Sequence, residues 1–178
     1  LFRAGLELMM VAGTKGQLAY YLQNQAIQLT IYGEMQRALE LYSIASRTAL
    51  EDGAAFVHAT CESAIGSVYW DLGNYPMAMQ RMVAALKYHD RSGDTDGICV
   101  VENNIGCLYR EMGDDAQALP HFQRSYELAL RMGSPDRIVA GLNDVGLSEL
   151  NLGDAKGALI KFNEALRRCP EVAAVFLQ

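Results

Sequence analysis

Apolar positions along this chain follow a helical period, broken at regular intervals by glycine. Between Gly106 and Gly113 the apolar residues Ile105, Leu108, Tyr109 and Met112 fall three and four apart, the spacing that lines one face of a helix. The same pattern recurs in each segment and predicts first helices near 15–31, 54–72, 95–112 and 135–152. Second helices are predicted near 35–52, 75–92, 115–132 and 155–169. Residues 1–13 match 41–53 in register and read as the second helix of a truncated earlier repeat. Residues 171–178 read as the start of a next or capping helix.

The breaks define a period of forty. Gly33, Gly73, Gly113 and Gly153 form one series, Gly13, Gly53, Gly93 and Gly133 another, and Ala38, Ala78, Ala118 and Ala158 a third. Gly66, Gly106 and Gly146 form a fourth, with Ala26 at the matching place. Each has a physical task. The first two series end helices in the left-handed conformation that glycine adopts without a Cβ penalty. Asn74, Asp114 and Asp154 follow as N-caps for the next helix, Glu34 being a poorer one. Asp94 and the Ser134-Pro135 pair serve the following turn. The Gly66 and Ala38 series let paired helices approach closely, with Tyr42, Met82, Phe122 and Phe162 filling the space beside them. Pro120 conflicts with this scheme: six positions into a predicted helix it removes a backbone hydrogen bond, so a bend or a late helix start is expected there.

A helix pair of this kind cannot bury its apolar face alone, and stacked copies form an all-α solenoid. The repeats run 14–53, 54–93, 94–133 and 134–170, within one domain spanning 1–178. The frame Gly66, Tyr69, Gly73, Ala78, then Gly106, Tyr109, Gly113, Ala118, Phe122, then Gly146, Gly153, Ala158, Phe162, Ala165, Pro170 resembles the tetratricopeptide repeat. Glu149 replaces the first-helix aromatic in the last copy, and Ala26 and Leu29 stand where glycine and tyrosine are usual in the first. The resemblance implies a right-handed α-solenoid of antiparallel helix pairs. The period exceeds the common ~34 residues and is similar to the long-helix subclass of kinesin light chains, spindle-orientation scaffolds and bacterial signalling proteins. HEAT and armadillo repeats, at ~40–47 residues, lack the Gly-to-Asp turn and the paired small residues.

Composition narrows the function. A net charge of −6 opposes a duplex nucleic acid partner. No apolar run is long enough for a membrane span. The opening LFRAGLELMMVAG has no secretory-signal features and reads as the edge of a longer protein. Cys61, Cys99, Cys107 and Cys169 form no CxxC pair, which suits a cytoplasmic setting. No cofactor or metal site and no catalytic motif is expected. SGDTDG at 92–97 fails as a calcium loop because Ser92 and Asn103 hold ligand slots that want carboxylates, and His58, His89 and His121 are scattered among repeats.

By resemblance, the ligand site is the concave groove lined by the first helices. Its lining would be Tyr20, Thr60, Val100 and Ala140; Gln23, Ser63, Asn103 and Asn143; Ile27, Ser67, Cys107 and Leu147; and Thr30, Trp70, Arg110 and Leu150. Carboxamides donate and accept at once, so Gln23, Asn103 and Asn143 could hold a peptide backbone, with Ser63 interrupting the ladder. Neighbouring Asn24, Asn104 and Asp144 either join them or brace adjacent helices. Trp70 is an anchor or a packed core residue. Arg110 clamps a carboxylate or pairs with Glu111 or Glu149. Ser63 and Asn103 hold slots where the clamp for chaperone C-termini needs lysines. The reading is therefore a protein-protein interaction module binding a peptide, regulatory or scaffolding in a larger signalling protein. A sensor for a small molecule or signalling peptide, and a self-association module forming a homodimer through terminal repeats, are the alternatives.

Overall fold

A computed structural model describes residues 13–168, and the readings made for 1–12 and 169–178, including both terminal part-helices, lie outside them. Eight helices follow in order: α1 Lys15–Ile31, α2 Met35–Glu51, α3 Ala55–Asp71, α4 Tyr75–Ser92, α5 Thr95–Glu111, α6 Asp115–Met132, α7 Pro135–Asn151 and α8 Ala155–Arg168. No strand occurs among the described residues. The helices form an all-α solenoid in which each pair packs antiparallel across a three-residue turn. The chain divides into two compact units, one ending at Asp94 and the other beginning at Thr95.

The turns do what the glycine series require. Gly33, Gly73, Gly113 and Gly153 have φ of 78°, 73°, 77° and 92°, and Gly53, Gly93 and Gly133 are likewise left-handed. At each turn of the first series the next residue closes the finished helix. The Asp114 amide donates to the Tyr109 carbonyl at 2.9 Å, as Asn74 does to Tyr69 at 2.8 Å. The Asp114 side chain then turns forward and accepts from the Gln117 amide at 3.0 Å. One residue thus ends one helix and starts the next. Asn74 and Asp154 cap in the same way, and Glu34 makes no side-chain cap. Ser134 sits at its N-cap position but makes no side-chain cap bond, and Pro135 follows at the first helical position. The Asp94 carboxylate meets His89 at 2.8 Å. Helix α6 begins at Asp115 and continues through Pro120, so the late start is excluded.

In the first unit, Leu22, Ala26, Ala38, Tyr42, Ala45, Cys61 and Ile65 form the core between α1, α2 and α3. In the second, Phe122 is wholly buried beside Ala118 and Val145, while Ile138 and Leu142 pack against Cys99 and Ala129. A buried aromatic ring of this kind contributes about 3 kcal/mol through area removed from water. Tyr42, Met82 and Phe122 are buried as the repeat requires, whereas Phe162 on α8 is only half-buried.

Two buried carboxylates interrupt these cores. Glu62 accepts from Ser46 Oγ at 2.7 Å and from Arg81 at 3.0 Å, and His58 Nδ1 lies 2.8 Å from the same Ser46 hydroxyl. One repeat on, Glu102 is 1% exposed and faces His121 at 2.6 Å and Arg124 at 2.5 Å. Leu22 and Leu142 hold the matching places in the outer repeats. Paired in this way, a buried carboxylate fixes two neighbouring side chains.

Candidate functional site

In the second unit, α5 and α7 are both first helices, and α6 packs against each. Arg110 of α5 donates to Asp144 of α7 at 2.8 Å, while its guanidinium lies 4.7 Å from the centre of the Phe122 ring. The expected pairing with Glu111 or Glu149 is corrected: Asp144, on the adjacent first helix, is the partner. Arg110 also points Nη2 at Cys107 Sγ, 3.6 Å away. Burial pushes the Cys107 thiol above its ordinary range, with the Asp144 charge adding to the effect. This thiol is held as a neutral, poorly nucleophilic group.

One turn earlier on α5 stand Asn103 and Asn104. The Asn103 amide has only a weak contact, 3.8 Å to Cys107 Sγ. The side chains of Asn104 and Asn143 make no hydrogen bond among the described residues. Asn103 and Asn104 line a cavity of about 140 Å³, with Val100, Cys99, Ser125, Arg137 and Ala140 completing its wall. Ser125 Oγ donates to the Cys99 carbonyl at 2.9 Å, which ties α6 to α5 beneath the cavity. Arg137 reaches Asp96 through both terminal nitrogens, at 2.6 and 3.2 Å. That hydrogen bonding holds the Arg137 proton even more firmly than usual. Asn143 and Leu147 of α7 are exposed on the same helix that carries Asp144.

The first unit treats the matching positions differently. Gln23 of α1 donates to Thr60 Oγ1 of α3 at 2.8 Å, so this rung of the expected ladder braces two first helices. Asn24 does not brace a neighbour: its amide returns to the Tyr20 carbonyl of its own helix at 3.0 Å. Ser63 is half-buried, and its carbonyl accepts from Ser67 Oγ. Tyr20 is 57% exposed and borders an open cavity of about 590 Å³ with Asn24 and Val57. Trp70 is half-buried, between the two roles expected of it.

Three residues of the small cavity were not foreseen from sequence: Cys99, Ser125 and Arg137. Ser125 carried a readable signal. It replaces the alanine found at positions 45, 85 and 165, a polar residue in a small apolar series. Among the described residues, no group of three or more His, Cys, Asp or Glu side chains could hold a metal ion, and no helix is long and apolar enough to cross a membrane.

Residues 57–131 match the tetratricopeptide repeat family model, and the same turn and crossing geometry continues on both sides of that segment. That segment belongs to the tetratricopeptide repeat family. No curated protein matches it in sequence. Its fold is similar to that of BtubC (BKLC) from P. vanneervenii, with TM-score 0.88 and 19% identity over 97% of this chain and 72% of that one. It is also similar to aspartyl phosphate phosphatase F from Bacillus subtilis, with TM-score 0.87 and 12% identity over 97% of this chain and 45% of that one. A third is a Rap protein complexed with competence and sporulation factor, with TM-score 0.71 and 15% identity over 96% of this chain and 52% of that one. This chain therefore spans about half the length of two of those three proteins, and at such identities the likeness is one of fold.

Proposed function

We propose that this tetratricopeptide-repeat chain is a protein-interaction module that holds an extended segment of a partner along its first helices, as the regulatory part of a larger signalling protein. The observation that carries this is the uncommitted pair Asn103 and Asn143. They stand one repeat apart on α5 and α7, next to exposed Val100, Leu147 and Leu150. A carboxamide on the surface can both donate to and accept from a peptide bond, so such groups grip a backbone of any sequence. The apolar side chains beside them supply area to bury. Arg110, Asp144 and Phe122 fix the spacing of the two helices beneath. One similar fold, the Rap protein, is complexed with a factor, which supports binding on this architecture.

The test is capture of partners from the native lysate by the intact chain and by an Asn103→Ala, Asn143→Ala variant confirmed as folded by circular dichroism. A protein retained by the parent and lost by the variant supports the reading. Capture that survives both substitutions removes the site from this face.

A further inference from the structure

Resting on that reading, we infer that the small cavity between α5 and α7 is a side-chain pocket selecting a carboxamide, Asn or Gln, from the bound segment. The cavity, about 140 Å³, is several times one water's share of the liquid, room for a short side chain. Its charge is already balanced. Arg137 is the cationic group of the wall, and Asp96 is its ion-pair partner: Nη2 donates at 3.2 Å, and Nη1 lies 2.6 Å from the other carboxylate oxygen but lacks a hydrogen bond of its own. An incoming carboxylate would place a second anion on that guanidinium next to Asp96, in a chain of net charge −6. A cation would meet the guanidinium itself. Beside that ion pair the wall presents neutral groups: the Asn104 side chain makes no hydrogen bond among the described residues, and the Asn103 side chain has only its 3.8 Å sulfur contact.

Each of these amides presents one carbonyl oxygen and two N–H groups. A hydroxyl brings a single proton and fits one of them. A primary carboxamide returns the same pair of functions and closes a two-bond ring with Asn104. The Ser125 hydroxyl is spent on the Cys99 carbonyl at 2.9 Å, so it adds no donor for an anion, and the one cationic nitrogen without a hydrogen bond, Arg137 Nη1, already has the Asp96 carboxylate beside it. Val100 and Ala140 flank the mouth and bury the methylene stem of the guest. The ladder therefore holds backbone while this pocket reads one residue.

The experiment is a positional-scanning array of acetylated heptapeptides, each pool fixed at one position with one residue type. It is probed with the parent chain, Asn104→Ala and Asn143→Ala, each checked by circular dichroism. The expected result is a preference of about tenfold for Asn and Gln pools at a single position, the worth of two hydrogen bonds, lost in Asn104→Ala. Asn143→Ala should lower all pools while keeping that preference. Asp and Glu pools winning instead would overturn the inference in favour of an anion site on Arg137. Pools that bind equally and fall together in Asn143→Ala would leave the backbone ladder standing and remove the pocket. No binding by any pool would remove both.

Discussion

Gly106→Ala separates two reasons for a glycine in this chain. In an exposed helix interior, alanine is favoured over glycine by about 1 kcal/mol, so the substitution would stabilise α5 if space allowed. Space does not allow it. A Cβ on Gly106 would stand 2.7 Å from Phe122 Cε1, 2.8 Å from Cδ1 and 3.0 Å from Cζ. Ordinary carbon contacts lie near 3.5–4.0 Å, so a wholly buried ring must retreat by about 1 Å. Overpacking of that kind costs about 1–3 kcal/mol, and three contacting ring atoms argue for the upper end. The net expectation is a loss of about 1–2 kcal/mol, read by urea unfolding followed with far-ultraviolet circular dichroism. Phe122→Leu removes the ring edge. The double variant should therefore be less destabilised than the sum of the two singles, by about 1 kcal/mol. The lost contact between Arg110 and the ring occurs with and without Gly106→Ala, so it cancels in that comparison. A Gly106→Ala chain as stable as the parent, or strict additivity with Phe122→Leu, would refute the close-approach argument.

Glu102→Gln should destabilise by about 2–3 kcal/mol in the same urea assay, because His121 and Arg124 then face a neutral group in a buried place. Pro120→Ala should stabilise by about 1–3 kcal/mol, since α6 already runs through that position and regains a backbone hydrogen bond; a loss of stability would mean that the proline fits a local shape alanine cannot keep. Burial raises the Cys61 thiol from near 9 to about 12. Alkylation at pH 8, read by peptide mass mapping, should therefore spare Cys61 in the folded chain and modify it in urea. The sign follows for stability too: the unfolded chain ionises from near pH 9 while the folded one keeps its proton to about 12, so this group's contribution is full below pH 9 and is lost across that window.

The contrast between what the sequence disclosed and what it withheld has a physical cause. Helix ends were readable because a left-handed glycine and a carboxylate two bonds from the backbone act within six residues: Asp114 meets Tyr109 on one side and Gln117 on the other. Close approach was readable for a similar reason, since a small residue at 26, 66, 106 and 146 stands at a fixed spacing from a large one at 42, 82, 122 and 162. The uses of the long polar side chains were not readable. Gln23 and Asn103 occupy the same place in successive odd repeats, yet one is spent on Thr60, thirty-seven residues away, and the other is almost free. Which of them is spent depends on the residue that the neighbouring first helix presents, and that residue varies: threonine at 60, alanine at 140. Arg110 shows the same dependence, finding Asp144 rather than the nearer-in-sequence Glu111 because residues one apart on a helix point away from each other. Periodicity therefore fixes the frame, and the pairing across frames decides which amides remain uncommitted. In the second unit that pairing leaves Asn103, Asn104 and Asn143 without strong partners while closing Arg110, Asp144 and Arg137 into ion pairs. This face of α5 and α7 is thus neutral and hydrogen-bonding although the residues around it are charged.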